Sequence, residues 1–598
     1  MKELLSGNEA FARGAYESGI RFGAGYPGTP STEILEEFSK YDAVYAEWSP
    51  NEKVAMEVAI GAAIAGEKAM AVMKHVGVNV AADPLFTVSY TGIIGSLIII
   101  TADDPSMHSS QNEQDNRNYA KFSKIPMLEP ADSQEAKDFV KLAVEISEKF
   151  NTPVFLRSTT RLSHSKSIVE IGGDPVKPQD QTRIEFDAPR YVMTPINART
   201  RRIEVEKRTE LLKEFAESFP ENKIEINDPE SGIITAGLSY NYAKDVFPDY
   251  SYLKLGMVHP LPKKMIREFA SRVKKIYIIE ELDPFIEEQV KAMGIQVTGK
   301  KIFPFMNEFD PGIVRSALSG KESKGLEIEP LKLPARPPNL CPGCPHRGLF
   351  FALNKLNVFV AGDIGCYTLS YMEPLCGLHS CICMGASVGM AHGMSRALKQ
   401  KGKGKIVGVI GDSTFVHSGI TGLLNTAYNN SNAVIVICDN RTTAMTGMQE
   451  HPGTGKTLQG EKTVSLDFEK LGAALGIENI RVIDPGDLKT TRAILQEELG
   501  KDGPSLVISR APCVLLKSKK ETPKPPLTVD MDSCTGCKVC LGLGCPAISW
   551  QKLLQNDDET TGLKKKKKGT ARIDSILCTG CTLCKQLCKA AAIREREV

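Results

Sequence analysis

The chain has 598 residues, enough for about three to five domains of ~100–200 residues each. Its 42% hydrophobic and 24% charged residues are typical of a globular protein, and its formal net charge of +2 argues against a protein that coats nucleic acids or membrane surfaces. The best apolar run, residues 91–102, is too short for a transmembrane helix and is predicted to be a buried strand. Because the N-terminus has no signal-peptide pattern, we expect a cytoplasmic protein. In that reducing compartment its sixteen cysteines are expected to bind metals rather than to form disulfides.

Three stretches of the chain alternate short apolar runs with helical patterns, as parallel sheets covered by helices do. The runs are "AMAVMK", "SLIIITA" and "PVFLRS" in the first stretch, "GIITAG" and "KIYIIEE" in the second, and "KIVGVIG", "AVIVICDN" and "PSLVISRA" in the third. Proline-containing breaks near 185–195 and at 332–339 divide them, and a Pro/Lys-rich linker at 517–528 separates them from a cysteine-rich end. We therefore predict domains at 1–187, 188–332, 333–520 and 528–598.

Near the N-terminus, a helix rich in small residues begins with several acidic side chains. The segment "YAEWSPNEKVAMEVAIGAAIAGEKAM" carries Glu47, Glu52 and Glu57, and it follows the motif "GYPGTPSTEI" at 25–34. Most glutamates are exposed to solvent, so this pattern indicates a functional carboxylate only in combination with a second site.

A candidate metal site lies in the third stretch, at 408–447. One apolar strand ends in Gly411-Asp412-Ser413, and the next ends in Asp439-Asn440. Ligands of parallel α/β sheets gather at the carboxyl ends of the strands, so Asp412 and Asn440 are expected to face one crevice. A carboxylate and an amide oxygen there suit Mg²⁺, which prefers oxygen ligands and often bridges to phosphates.

Eight of the sixteen cysteines lie in two short runs, at 534–545 and 578–588. Their C-x2-C-x2-C…C spacing is typical of two-cluster ferredoxins, in which three close thiolates hold one iron–sulfur cube and the fourth crosses to the other. Two structural zinc sites are the alternative. The predicted ligands are Cys534, Cys537, Cys540 and Cys588 for cluster 1, and Cys578, Cys581, Cys584 and Cys545 for cluster 2.

Both runs depart from the usual ferredoxin pattern. Four residues separate Cys540 from Cys545 where three are usual, and Lys589 stands where proline is usual after the second run. The longer spacer leaves a three-iron form open for one of the clusters.

The segment 408–447 resembles the G-D-G…N signature of the thiamine diphosphate fold, with Ser413 in the third position after Gly411 and Asp412. The resemblance implies that Asp412, Asn440 and the backbone carbonyl of Thr442 hold Mg²⁺ against the cofactor's diphosphate.

Thiamine enzymes also use a glutamate on a separate pyrimidine-binding domain, where the carboxylate drives the aminopyrimidine ring to the tautomer that deprotonates the thiazolium carbon. Glu52 best fits this position in the 2-oxoacid:ferredoxin oxidoreductases. The motif at 25–34 looks like the Y-P-x-T-P-S motif of the same family, where Thr29 would sit beside the reactive carbon.

Over essentially its whole length the chain resembles the large subunits of the indolepyruvate branch of that family, through "HSSQNEQDNR" (108–117), "CPGCPHR" (341–347) and "DIGCYTL" (363–369). The implied fold is a multidomain α/β protein with pyrimidine- and diphosphate-binding doubly wound parallel sheets, a middle α/β domain like the transketolase C-terminal domain, and a two-cluster ferredoxin-like domain. The implied reaction is oxidative decarboxylation of an arylpyruvate with coenzyme A, giving an aryl-acetyl-CoA, CO₂ and two reduced ferredoxins. His75 and His108 are candidate acid/base groups, although either is also compatible with a structural role.

The family also implies a proximal four-iron cluster beside the thiamine site. Its expected ligands are Cys341, Cys344, Cys366 and Cys513, an order that matches a C-x2-C pair followed by two separate cysteines. In the competing interpretation these are turn and core residues, as free cysteines often are. A further alternative draws a ligand from Cys376, Cys381 or Cys383.

The expected partners are a separate small beta subunit in an alpha2beta2 assembly and ferredoxin as electron acceptor. Three alternatives stay open: a branched-chain or short aliphatic 2-oxoacid as substrate, a non-oxidative thiamine-dependent decarboxylase, and an electron-transfer or scaffold subunit. The eight ferredoxin-type cysteines argue against the second, because such a decarboxylase has no use for them. Thiamine bound to the purified chain would argue against the third.

Overall fold

A computed structural model describes residues 1–172, 186–320, 337–516, 524–552 and 568–595. The chain forms two compact units, Met1–Leu331 with Thr457–Glu461 and Lys332–Lys456 with Lys462–Val598. The predicted boundary at 332, and most of the linker predicted at 517–528, lie outside the described residues. In the described part of the chain, every helix is too short or too polar to cross a lipid bilayer.

The first unit is built on a seven-stranded sheet and a four-stranded sheet. The strands of this unit are β1 (Lys2–Ser6), β2 (Phe22–Gly25), β3 (Tyr45–Trp48), β4 (Lys68–Lys74), β5 (Ser96–Asp103), β6 (Met127–Leu128), β7 (Val154–Thr159), β8 (Lys166–Glu170), β9 (Lys223–Glu225), β10 (Ser231–Ala236), β11 (Ser251–Leu255), β12 (Met257–His259) and β13 (Lys275–Ile279). Strands β1 and β8 form an antiparallel pair separate from both sheets.

The larger sheet has the order β12-β6-β7-β5-β4-β2-β3 and is parallel except for β12, and the smaller has the order β13-β10-β11-β9. Every residue of β5 is buried, which confirms the predicted strand in the apolar run at 91–102. Buried apolar clusters cover the larger sheet, because its strands are hydrophobic at successive positions rather than alternating ones.

The helices of this unit are α1 (Gly7–Glu17), α2 (Thr32–Phe38), α3 (Glu52–Ile64), α4 (His75–Val80), α5 (Ala82–Thr91), α6 (Arg117–Ser123), α7 (Ser133–Phe150), α8 (Thr160–His164), α9 (Ala188–Tyr191), α10 (Pro195–Ala216), α11 (Gly237–Val246), α12 (Lys263–Arg272), α13 (Phe285–Lys291) and α14 (Pro311–Ser319). Local signals start several of them. Ser6 and Glu9 form a capping box on α1, and the Asn51 side chain accepts a hydrogen bond from the Val54 amide at the start of α3.

The two sheets of the first unit share structural elements. Strand β12 follows the second sheet in the chain but pairs with β6 of the first. Arg117 at the start of α6 is buried and forms ion pairs with Asp115 and with Glu280, which follows β13. The Arg117 guanidinium also donates to the carbonyl of Glu281 at 2.9 Å. The ranges 1–187 and 188–332 therefore meet through a strand and a buried ionic network.

The second unit contains a parallel five-stranded sheet, β14-β15-β16-β18-β17, and two antiparallel strand pairs, β19-β22 and β20-β21. Its strands are β14 (Phe359–Ala361), β15 (Ile406–Gly411), β16 (Val434–Asp439), β17 (Asn479–Ile483), β18 (Ser505–Arg510), β19 (Leu527–Val529), β20 (Ile548–Lys552), β21 (Gly569–Ile573) and β22 (Ile593–Glu595). Its helices are α15 (His346–Leu356), α16 (Ala386–Leu398), α17 (Asp412–Thr414), α18 (Ile420–Tyr428), α19 (Phe468–Ala474), α20 (Leu488–Gly500) and α21 (Leu583–Leu587).

The ferredoxin-like module, residues 524–552 and 568–595, packs directly on the domain that contains the five-stranded sheet. Leu488 of α20 and Phe351 of α15 belong to the same apolar cluster as Leu527, Leu543 and Leu583 of the module. The sequence predicted a module held apart by a linker, and the structure corrects this, because apolar side chains of both parts are buried together. The predicted α/β multidomain fold, with parallel sheets and a ferredoxin-like end, is confirmed.

Candidate active site

In the second unit, the predicted metal ligands meet at the carboxyl edge of the five-stranded sheet. Asp412 begins α17 directly after β15, and Asn440 follows β16, whose Cys438 is in register with Gly411. Asp412 and Thr442 are both nearly inaccessible to solvent. The Asp412 carboxylate accepts hydrogen bonds from the amides of Ser413 at 2.9 Å and Arg441 at 2.8 Å.

These contacts fix the orientation of the two side chains that suit Mg²⁺. The Asn440 amide nitrogen donates to His346 Nε2 at 3.3 Å, so its oxygen points the other way and accepts from the Thr442 amide at 3.2 Å. The Ser413 hydroxyl accepts a hydrogen bond from the Thr443 hydroxyl at 2.9 Å. A carboxylate, an amide oxygen and a nearby carbonyl form an oxygen donor set that fits a hard divalent cation.

Two histidines in this region were missed by sequence reasoning. Burial lowers the pKa of His346 to about 4, with Asp412 acting in the opposite direction, so the ring is neutral. His451 Nε2 lies 3.4 Å from Asp412 Oδ2, while its Nδ1 accepts from the Gly453 amide, which places the ring proton on Nε2. His346 stands two residues after the C-x2-C pair, a spacing that could have drawn attention to it. His451 lies in no recognisable motif.

The four cysteines proposed for the proximal cluster lie beside this edge. The pKa of Cys344 is raised to about 12, mainly by burial, with the neighbouring thiols of Cys341 and Cys366 acting in the same direction. The pKa of Cys366 is raised to about 11 by burial and by Cys513 and Cys341. The Cys513 amide donates to the Asn440 carbonyl at 2.9 Å. The structure thus gathers these thiols next to the candidate metal ligands.

The alternative cysteines have other surroundings. Cys376 and Cys383 are exposed. Burial raises the pKa of Cys381 to about 11, and the charges that add to this rise belong to Asp363 and Cys383.

The ferredoxin-like module contains two cysteine-lined cavities. Their lining groups the cysteines as the crossed pattern requires: Cys534, Cys537, Cys540 and Cys588 in one cavity, and Cys545, Cys578, Cys581 and Cys584 in the other. In the described residues, no three His, Cys, Asp or Glu side chains converge on a single ion.

In the first unit, Glu52 is the first residue of α3 and is only 4% exposed. Gly77 of α4 lies against it, since a Cβ on that glycine would be 2.7 Å from Glu52 Oε1. The Thr29 carbonyl accepts a hydrogen bond from the Ser109 hydroxyl at 3.0 Å. The Lys74 side chain packs on Gly28, which precedes Thr29.

Lys74 and Asp104 are further residues of this region that the sequence did not reveal. Burial lowers the pKa of Lys74 to about 8, with Asp104 and Glu52 opposing the shift. Asp104 organises the loop that carries Ser109, accepting from the Ser109 amide at 2.9 Å and the Ser110 hydroxyl at 2.6 Å. Neither residue belongs to a sequence motif.

The two candidate acid/base histidines differ in their surroundings. His75 is completely buried, and burial lowers its pKa, with Lys74 contributing in the same direction. His75 Nε2 lies 3.2 Å from the Asn112 carbonyl. His108 lies on the exposed side of the same loop region, 3.5 Å from a carboxylate oxygen of Glu308. Of the two histidines, His75 is therefore buried next to Lys74, whereas His108 is exposed.

Comparison with known proteins matches both units to thiamine-dependent enzymes. Residues 13–218 match the family described as pyruvate flavodoxin/ferredoxin oxidoreductase, thiamine diP-bdg, and residues 363–509 match the C-terminal TPP binding domain of thiamine pyrophosphate enzymes.

Several relatives are similar along the whole chain. Indolepyruvate oxidoreductase subunit IorA of Archaeoglobus fulgidus is 42% identical over 99% of this chain and 97% of its own, and that of Pyrococcus horikoshii is 41% identical over 100% and 98%. The 2-oxoglutarate synthase subunit KorA of Archaeoglobus fulgidus is 25% identical over 50% of this chain and 96% of its own. The chain belongs to the thiamine-diphosphate-dependent 2-oxoacid:ferredoxin oxidoreductases, in the family of the indolepyruvate oxidoreductase subunit IorA.

Proposed function

We propose that the chain is the catalytic subunit of an enzyme that oxidatively decarboxylates arylpyruvates such as indolepyruvate and phenylpyruvate. A 2-oxoacid, coenzyme A and two oxidised ferredoxins give an acyl-CoA, CO₂, two reduced ferredoxins and the thiol proton. The main support is the similarity to relatives named indolepyruvate oxidoreductase over 97–98% of their own length, while the 2-oxoglutarate synthase relative matches only half of this chain.

The residues at the sheet edge of the second unit would hold the cofactor's diphosphate end. Asp412, the amide oxygen of Asn440 and the carbonyl of Thr442 would bind Mg²⁺, and Gly411 and Ser413 would border the diphosphate. When bound, thiamine diphosphate supplies a nucleophilic carbon for the 2-keto group and stabilises the electrons left after loss of CO₂. His451, with its proton on Nε2, would orient the Asp412 carboxylate.

The residues of the first unit would act on the pyrimidine end of thiamine diphosphate. Glu52 would accept a hydrogen bond from the pyrimidine ring and hold it in the reactive tautomer. Thr29 would lie beside the reactive carbon of the cofactor. His75, which burial keeps neutral, is suited to accept a proton, and His108 is the weaker acid/base candidate because it is exposed.

The three cysteine groups would carry electrons from the substrate to ferredoxin. The group at Cys341, Cys344, Cys366 and Cys513 would hold the proximal cluster, and the module would hold two more, one of them open to a three-iron form. We further propose a cytoplasmic alpha2beta2 assembly with a small beta subunit, as the word subunit in the relatives' names suggests.

Substrate preference tests the proposal directly. The chain purified anaerobically with its beta subunit should use indolepyruvate and phenylpyruvate with kcat/KM at least an order of magnitude above pyruvate or 2-oxoglutarate, because an aromatic side chain buries ~150–250 Å² in a matching pocket. Reduction of a viologen dye measures the rate. A preference for 2-oxoglutarate, or for branched-chain or short aliphatic 2-oxoacids, would contradict the arylpyruvate assignment, and decarboxylation without dye reduction would indicate a non-oxidative enzyme.

A further inference from the structure

The turn between Cys341 and Cys344 lies between two of the cysteine groups. Its central residues, Pro342 and Gly343, line the cavity that also contains Cys545, Cys578, Cys581 and Cys584. The backbone that carries two ligands of the proposed proximal cluster is therefore also a wall of the neighbouring cluster site. The two sites are separated there by a single turn of chain.

Close contacts fix this arrangement. A Cβ on Gly343, whose φ is 72°, would stand 2.2 Å from the Thr579 hydroxyl oxygen. The backbone of the turn therefore packs against the Thr579 side chain of the module. The Gln586 side chain donates to the Gly486 carbonyl at 2.6 Å and accepts from the Leu488 amide at 3.0 Å. The Asn339 side chain donates to the Gly544 carbonyl at 3.2 Å.

Arg347 occupies the same junction and is 1% exposed. Its guanidinium donates to the Leu543 carbonyl of the module at 2.7 Å and to the carbonyls of Leu340 and Cys341. Its Nε has no hydrogen-bond partner among the described residues, and the groups that act on its charge include cysteines of both groups but no carboxylate. Three hydrogen bonds to backbone carbonyls thus hold this cation in the interior, and none of the described carboxylates is paired with it.

The titratable groups that act on Arg347 are thiols of both cysteine groups. Burial lowers the pKa of Arg347, and Cys545, Cys344, Cys581 and Cys341 act in the opposite direction. A buried cation without an anion is unfavourable, and an arginine stays protonated in proteins. A four-iron cube bound by four thiolates carries a net negative charge, so cubes on either side would supply the missing counter-charge.

We propose that Arg347 is a fixed positive charge shared by the proximal cluster and the cluster of Cys545, Cys578, Cys581 and Cys584, and that it raises the reduction potentials of both. Reduction adds one electron to a cluster, and a nearby cation stabilises that added negative charge. The unpartnered Nε–H is available as a donor to a cluster sulfur, and both net charge and hydrogen bonds to sulfur set such potentials. One electron passes from the reduced proximal cluster to its oxidised neighbour, with no further reactant. This inference rests on the proposed clusters.

The test compares Arg347→Gln, Arg347→Lys and the control Arg396→Gln in the anaerobically prepared complex with its beta subunit. Arg396 is exposed and its side chain contacts the Asn430 carbonyl in another part of the second unit. Iron content and EPR-monitored redox titration are measured on each. In Arg347→Gln, two of the three clusters should titrate at lower potentials, with at least a tenfold change in their reduced-to-oxidised ratio at a fixed potential, which is ~59 mV for one electron. In Arg347→Gln, the third cluster, at Cys534, Cys537, Cys540 and Cys588, should keep its wild-type reduction potential. All clusters of Arg347→Lys and of the control should also keep potentials close to wild type.

Three results in Arg347→Gln would overturn the proposal that two clusters share this charge. They are full iron content with unchanged reduction potentials, an equal shift of the potentials of all three clusters, and a shift of only one potential. If Arg347→Gln loses iron, Arg347→Lys decides, because lysine keeps the charge but not the forked hydrogen bonds. Full iron and wild-type potentials in Arg347→Lys would support the charge, and loss of iron there too would assign Arg347 a purely structural role. Wild-type protein with about eight irons or fewer would instead show that the proximal cluster itself is missing, and the inference would fall with it.

Discussion

At the scale of single residues, Glu52 is the carboxylate on which the proposed chemistry depends. Glu52→Gln should leave thiamine binding largely intact and abolish turnover, because the amide keeps the shape of the side chain but cannot drive the pyrimidine ring to its reactive tautomer. Bound thiamine is measured by fluorescence after desalting, and turnover by dye reduction. Glu57→Gln is the matched control, since Glu57 lies on the exposed face of the same helix and pairs with Lys53. Full activity in Glu52→Gln would mean that another glutamate has this role.

Substitution of Asp412 should weaken cofactor binding rather than block the chemical step. Asp412→Ala removes the buried carboxylate proposed as a Mg²⁺ ligand, so the purified chain should lose at least ten-fold in thiamine diphosphate affinity, measured calorimetrically in the presence of Mg²⁺. Asp502→Ala serves as a control, because Asp502 is an exposed partner of Lys403. Unchanged cofactor affinity in Asp412→Ala, with the fold intact by circular dichroism, would contradict the assignment.

Sequence reasoning identified Asp412 and Asn440 because each follows a long apolar strand, and strand ends in parallel sheets meet at one edge. The same reasoning could not find His451, Lys74 or Asp104. His451 reaches Asp412 from a loop with no periodicity, and the Lys74 ammonium donates a hydrogen bond to the Ser109 carbonyl, in the loop that Asp104 organises, at 3.1 Å. Such contacts come from tertiary packing, which local patterns do not encode.

At the scale of elements, β5, β15 and β16 were visible as apolar runs, whereas β12 was not. Three residues, Met257–His259, are too short to give a strand pattern, and their partner β6 has only two residues. The pairing depends on the distant position of the second sheet, so it could not be predicted from the sequence. It makes the first sheet incomplete without residues from the middle of the chain.

His259 in β12 gives the first unit a pH-dependent stability. Burial lowers the pKa of His259 from 6.5 to about 4, and Lys121, Lys124 and Lys213 add to the shift. The unfolded chain therefore binds a proton that the folded chain does not, and the free energy of unfolding should fall by up to ~1.4 kcal/mol per pH unit as the pH drops from 6.5 towards 4. Denaturant unfolding of the full chain at several pH values measures this slope. His259→Gln should flatten it, and an identical slope in the variant would exclude His259 as its source.

At the scale of the whole molecule, iron content reports on all three proposed clusters. Anaerobically prepared protein should contain about twelve irons per chain if all three are four-iron cubes, and fewer if one is a three-iron form. Cys513→Ser should lose up to about four irons and slow ferredoxin reduction, because Cys513 is a proposed ligand of the proximal cluster and its amide contacts the Asn440 carbonyl. Cys438→Ser is a useful control, since Cys438 is a buried core residue of β16. About eight irons or fewer in the wild type, with no change in Cys513→Ser, would rule out the proximal cluster.

The buried network around Arg117 limits how the first unit can change over evolutionary time. Its partners Asp115 and Glu280 lie more than 160 residues apart in the chain, and removal of one partner of a buried pair typically costs about 3–5 kcal/mol. A recombination event that exchanged the middle of the chain for a foreign domain without Glu280 would leave the Arg117 guanidinium buried beside a single carboxylate. We therefore expect the two halves of this unit to be inherited together, so that a functional chimera needs both sides of the network from the same parent.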